Sequence, residues 1–158
     1  MDTTLGINMK IFILFLLFIS QSVFADLSII VHRNFSDNAI ELHKLRSIYS
    51  GDSQHINDLR VIPLDQQVNS DNYTQFYDAV LNRPMEQIIS HWSKLIFTGK
   101  GQAPISLAGD MSIIKFVESN PNAIGYIDSK YVTDTVKVIQ TIKIRPYKEL
   151  KIESLKNR

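Results

Sequence analysis

Nine unbroken apolar residues, Ile11 to Ile19 (IFILFLLFI), decide which part of this chain has to fold. Lys10 stands directly before the run, and Ser20-Gln21-Ser22-Val23-Phe24-Ala25 follows it, ending on a small residue. A positive charge, a short apolar core and a small-residue end have the layout of a secretory signal peptide, with cleavage expected after Ala25. A membrane-spanning helix needs about 20 apolar residues, so this run is too short to cross a bilayer. Met9 directly precedes Lys10, which makes Met1 and Met9 alternative starts. The expected division is a signal peptide over 1–25, one folded domain over 26–144 and a basic tail over 145–158. In the tail Arg145, Lys148, Lys151, Lys156 and Arg158 stand against Glu149 and Glu153.

What remains after the leader has the composition of a single globular domain. The full chain of 158 residues is 44% hydrophobic, with 17 Lys+Arg against 16 Asp+Glu and no cysteine. A domain of this size can bury one core without staples. The formal charge of +1 supplies no long-range field, so nucleic acid is not an expected partner. Without cysteine there is no disulfide, no thiolate nucleophile and no cysteine-ligated metal. No lipid-attachment cysteine follows the leader, and a soluble periplasmic protein is expected.

Hydrophobic spacing then places the elements. Ser28 to His32 is a short β-branched run, read as a buried strand. Ile40, Leu42, Leu45 and Ile48 recur at near-helical spacing, and Gly51 stands where a helix C-cap belongs. Leu59 to Leu64 reads as a second strand, whose Pro63 suggests an end or an edge. Tyr73, Phe76, Tyr77, Val80 and Leu81 form one helical face, broken at Asn82-Arg83-Pro84. Met85, Ile88, Ile89, Trp92, Leu95 and Ile96 continue the period for another helix. Thr98 to Pro104 is a glycine-containing loop, and Asp110 suits the cap of a helix carrying Ile113, Ile114 and Val117. Ala123–Ile127 and Val136–Ile142 are the last two strands. The fold class implied is α/β: a mixed, mainly parallel sheet flanked by helices on both faces.

Catalytic patterns are missing from this layout. His32, His43, His55 and His91 form no H-x-H or H-E-x-x-H spacing, so no metal site is expected. No G-x-S-x-G elbow occurs, and the carboxylates fall on helix faces and loops read as solvated. Neither an enzyme nor a cofactor is indicated. Gly99-Lys100-Gly101 lacks the spacing of a P-loop and reads first as a turn after a helix. The polar segment Gln66 to Asn72 runs from a strand into a helix. Ser70 and Asn72 there, with the free N–H groups of a helix N-terminus, suit either an oxyanion or simple N-capping.

Five blocks occur in one order: Leu45-Arg46-Ser47-Ile48-Tyr49-Ser50-Gly51, Ile62-Pro63-Leu64, Ser70 to Phe76, His91 to Gly101 (HWSKLIFTGKG) and Asn120 to Ile127 (NPNAIGYI). In this the sequence resembles short, single-lobe members of the phosphate ABC-transporter substrate-binding protein family. Their architecture is half of a type 2 periplasmic binding protein. The resemblance covers about residues 28–142. It implies a periplasmic protein that captures an oxyanion such as phosphate for an ABC importer.

The family's R-x-x-x-S-G-T segment falls on Gln66 to Asn72: Ser70 is retained, Gln66 replaces arginine, Asp71 replaces glycine and Asn72 replaces threonine. The ligand-binding residues it implies are Gln66, Asn69, Ser70, Asp71, Asn72 and Tyr73. Losing arginine removes a charge-assisted bidentate bond, and Asp71 brings a negative charge near the anion. Weak binding is therefore expected. One lobe gives one wall of the usual clamp, so a homodimer or a partner such as an importer or sensor would complete it. The alternative is a periplasmic interaction or sensing module that reuses the lobe without a transported ligand.

Overall fold

The computed structural model describes residues 26–144; the expected signal peptide over 1–25 and the expected basic tail over 145–158 lie outside the described residues. The first strand, β1 (Leu27–His32), is apolar or small along nearly its whole length. Successive strand residues point to opposite faces, so such a strand has to be covered on both. Leu27, Ile29 and Val31 accordingly enter one core and Ile30 the other. Helix α1 (Leu42–Tyr49) turns Leu45, Ile48 and Tyr49 inward. It ends at Ser50, with Gly51 at φ +80° just beyond, the left-handed position that favours glycine.

A small hairpin, β2 (His55–Ile56) with β3 (Leu59–Arg60), precedes β4 (Ile62–Gln66). The single strand expected over Leu59–Leu64 is therefore two. The chain divides at Val61, whose N–H turns back to the Gln54 carbonyl at 2.8 Å, while the N–H of Ile62 reaches the Asn122 carbonyl at 2.8 Å. Nor is β4 an edge strand. Its pairing with β5 (Ile105–Leu107) starts at Leu64, so the N–H that Pro63 lacks is not needed there. The short β5 follows the glycine-containing loop, and three residues carry too little pattern to stand out in the sequence.

Two consecutive helices, α2 (Asp71–Leu81) and α3 (Met85–Phe97), follow β4. Asn82 closes the first in the left-handed conformation at φ 51°, and Pro84 stands as the N-cap of the second. After β5 come α4 (Asp110–Ser119), β6 (Ala123–Asp128), a 3₁₀ turn over Ser129–Tyr131 and β7 (Val136–Ile142).

The sheet order is β5-β4-β6-β1-β7. β4 runs parallel to β5 and β6, whereas β1 is antiparallel to both β6 and β7. Every strand of this five-stranded sheet except β1 therefore points the same way, as in a mixed, mainly parallel sheet. Helices α1, α2 and α3 pack on one face; α3 does so through Ile88 and Trp92, the latter only 7% exposed, while its Ile89, Ile96 and Phe97 stay exposed. On the other face α4 lies across β4, β6 and β1 through Ile113, Ile114 and Val117. A side chain on Gly125 would come within 2.6 Å of Ile113 Cγ2, so glycine lets α4 approach β6 closely. No helix among the described residues is long and apolar enough to cross a membrane.

Candidate ligand site at the carboxyl edge of the sheet

The parallel strands β4, β5 and β6 end side by side at Gln66, Leu107 and Asp128. Ligands of α/β sheets sit beyond this carboxyl edge, where loops and helix N-termini meet. Here the loop into α2, the turn into α4 and the 3₁₀ turn after β6 come together.

Ser70 is the N-cap of α2, and its Oγ accepts the N–H of Tyr73 at 3.2 Å. The helix thus begins at Asp71, two residues earlier than the apolar period suggests. Asn69 precedes the cap with φ 74° and is exposed, as is Asp71. The first intrahelical bond runs from the Thr74 N–H to the Ser70 carbonyl at 3.1 Å. The N–H groups of Asp71 and Asn72 come before it, where a helix has no partner of its own to offer. Tyr73 contributes no side chain to the edge: it is 4% exposed, and its ring lies 4.6 Å from that of Tyr77. Burial, with Asp65 nearby, pushes the Tyr73 hydroxyl up to about 12.

Gln66 and Asn72 do come together, and what joins them is a residue the sequence analysis read differently. Asp110, expected to cap α4, is that helix's first residue; Gly109 holds the cap position without a side-chain bond. The Asp110 carboxylate reaches across the edge instead. Its Oδ1 accepts Gln66 Nε2 at 2.8 Å, Asn72 Nδ2 at 3.1 Å and the Asp128 N–H at 3.1 Å. Gln66 is only 2% exposed, and its Nε2 also donates to the Tyr126 carbonyl at 3.3 Å. Asp128 pairs with Lys130, Oδ2 to Nζ at 2.6 Å, which raises the lysine's pKa. The edge therefore carries Asp71, Asp110 and Asp128 against Lys130.

A further carboxylate lies buried below Gln66, and the expectation of solvated carboxylates is corrected by it. Asp65 is 5% exposed. It accepts hydrogen bonds from the Tyr77 hydroxyl at 2.6 Å, from the Tyr126 hydroxyl and from the Gln66 N–H at 3.1 Å. Burial drives its pKa up from 3.8 to about 6, while these three donors pull it back down. The sequence signal for it was the set of tyrosines on a core face, because buried phenol hydroxyls need partners.

The remaining sequence candidates are dispersed. His91 Nε2 lies 2.7 Å from the Ser50 carbonyl, His32 accepts the Asn34 N–H, and His43 sits 3.0 Å from Glu41. Among the described residues no group of three or more His, Asp or Glu is placed to hold a metal. Gly99 and Lys100 close α3, with φ 65° at Gly99 and the Lys100 N–H on the Leu95 carbonyl at 2.9 Å. That is a helix-ending turn rather than a phosphate cradle.

No family model matches this sequence, and no curated protein sequence does. Solved structures do share the fold. A protein assigned as a phosphate ABC transporter substrate-binding protein, crystallised with bound phosphate, from Clostridium perfringens aligns at TM-score 0.59 and 20% identity, over 82% of this chain and 51% of that one. PstS from Borrelia burgdorferi aligns at 0.59 and 21% identity, over 85% of this chain and 55% of its own. An ABC-type phosphate transport receptor from Vibrio cholerae gives 0.59 and 17%, over 73% and 47%. The chain spans about half the length of the structures it matches, and its fold is that of a single lobe of such binding proteins.

Proposed function

We propose that this chain is a solute-binding protein of the phosphate type, exported to the periplasm, that presents an oxyanion such as phosphate to an ABC importer. The observation carrying this reading is a carboxyl edge lined with hydrogen-bond donors, on the fold of a phosphate-binding lobe. Its structural neighbours are substrate-binding proteins rather than enzymes, which supports a binding role without catalysis. Ser70, Asn72 and the N–H groups opening α2 hold the anion in this reading, with Gln66 behind them and Asn69 and Asp71 at the rim. The lobe forms one wall; a second copy of the chain or a partner protein supplies the other.

Binding is weak on this geometry. A neutral hydrogen bond contributes about 0.5–1.5 kcal/mol net, and the charges of Asp71 and Asp110 oppose an anion. A Kd no tighter than roughly 0.1–1 mM, about −4 to −5.5 kcal/mol, is the expected outcome. Calorimetric titration of the chain with phosphate and sulfate tests it. Asp71→Gly is expected to strengthen phosphate binding, because it removes charge and frees the backbone to approach. An arginine at Gln66 would meet Asp110 rather than the ligand, so restoring it alone is not expected to help. If neither the native chain nor Asp71→Gly takes up any oxyanion, the reading is wrong.

One observation favours a second reading, a periplasmic interaction or sensing module. The donors of the edge are already engaged by Asp110, and the surrounding charge is acidic. A sensor or importer partner would then be recognised without a transported ligand.

A further inference from the structure

We propose that Asp110 sets which anions the carboxyl edge admits, because its carboxylate occupies from within the chain the donors that an entering oxyanion would use. The inference rests on the reading of that edge as an oxyanion site. A single oxygen, Oδ1, takes three donors from three separate segments: Gln66 Nε2 at the end of β4, Asn72 Nδ2 in the first turn of α2, and the Asp128 N–H at the end of β6. Donors converging from several loops on one anionic oxygen make a charge-assisted anion site.

The donors have few other ways to be satisfied. Gln66 is 2% exposed, so its amide cannot turn to water, and beside Asp110 its Nε2 donates to the Tyr126 carbonyl. Asp110 does not cap its own helix, whose cap position is held by Gly109 without a side-chain bond. A carboxylate in a helix's first turn gains from the helix dipole wherever it points. The dipole therefore does not explain why this one reaches across to β4, α2 and β6.

Two consequences follow. A tethered carboxylate competes at a high effective concentration, so a free anion must displace it or bind beside it. Simple carboxylates, which offer no more than Asp110 does, are shut out. An oxyanion with additional oxygens can gain Ser70 and the opening N–H groups of α2, and enters at reduced affinity. Asp110 thus fixes both the class of ligand admitted and how tightly the lobe holds it.

Removing the carboxylate should open the slot. In Asp110→Ala, acetate at matched ionic strength is expected to raise the melting temperature, whereas it leaves the native chain unchanged. Phosphate affinity should rise about tenfold or more, the factor given by 1.4 kcal/mol. Asp110→Asn keeps a neutral acceptor in place, so its phosphate affinity should rise severalfold with no stabilisation by acetate. A merely structural clasp would lose stability in Asp110→Ala but gain no affinity for either anion, and that result overturns the inference. If Asp110→Ala does not fold, an unchanged phosphate affinity in Asp110→Asn overturns it equally. The two claims fail separately. Acetate rescue in a protein that takes up no phosphate upholds the slot and removes the phosphate reading. Phosphate binding by the native chain with no gain in either variant does the reverse.

Discussion

On the face covered by α1, α2 and α3, Tyr49, Phe76, Tyr77 and Tyr126 pack as one aromatic group, with Phe76 stacked on Tyr126 at 3.8 Å between ring centres. On the face covered by α4 the buried side chains are aliphatic: Ile113, Ile114 and Val117 against Ile30, Leu64 and Ile127. The first face buries a carboxylate, Asp65, and the second has its carboxylate, Asp110, at the rim. Aromatic rings with hydroxyl ends can fill a core and still serve a buried charge. Aliphatic side chains cannot, since an unpartnered charge in their midst costs several kcal/mol. Gln66 joins the two arrangements: its backbone N–H donates to Asp65 and its side chain to Asp110.

The largest effect expected from breaking this contrast is Phe76→Ala. Truncating a buried phenylalanine costs about 3–5 kcal/mol, and here it also removes the ring on which Tyr126 is stacked. Tyr126 is one of the donors to Asp65, so the variant should change how stability depends on pH as well as its size. Ile114→Ala on the opposite face should cost about 2–5 kcal/mol, with no change in the pH profile. Urea unfolding of both at several pH values checks the pair. Identical profiles would mean that the aromatic face does not hold Asp65 in its titration.

Next in size is the titration of Asp65 itself. Its folded pKa, about 6, lies above the ordinary 3.8, so the folded state binds the proton more tightly than the unfolded chain. The stability this contributes is fully present below pH 3.8 and is lost as the pH rises through about 6. At 1.36 kcal/mol per pKa step the whole loss is about 3 kcal/mol. Asp65→Asn carries no such proton. Its unfolding free energy should stay level between pH 4 and pH 8, where that of the native chain declines. A native chain that gains stability over that window would refute the buried carboxylate's role.

Most of the architecture was legible because it follows from repeating patterns. Tyr73 to Leu81 and Met85 to Ile96 announce their helices through apolar spacing, and β1 announces its strand by a β-branched run. What escaped is what depends on distant partners. The split at Val61 is made by Gln54 and Asn122, and β5 exists because β4 pairs with it. Asp65 fell between the strand read to Leu64 and the polar segment read from Gln66, and nothing adjacent shows that Tyr77 and Tyr126 will enclose it. At the candidate site, Ser70 was recognisable as a cap from its place before a helical period. Asp110 was not recognisable as the acceptor for Gln66 and Asn72, which are 44 and 38 residues away in the chain.

The smallest effect is also the one that separates stability from binding at the carboxyl edge. Ser70→Ala removes the oxygen that accepts the Tyr73 N–H, and the loss of such a cap costs about 1 kcal/mol. On its own that result is ambiguous, because a frayed helix start would weaken an anion site whether or not Ser70 touches the ligand. Ser70→Asp resolves it. Aspartate caps about as well as serine and suits the positive end of the helix, so stability should stay within about 0.5 kcal/mol of the native value. Its charge, however, then sits at the N–H groups that an oxyanion would need. A chain with unchanged melting and abolished phosphate binding places the anion at the start of α2. Phosphate binding that survives Ser70→Asp would put the anion elsewhere, and the edge around Asp110 would then be a structural joint between β4, α2 and β6.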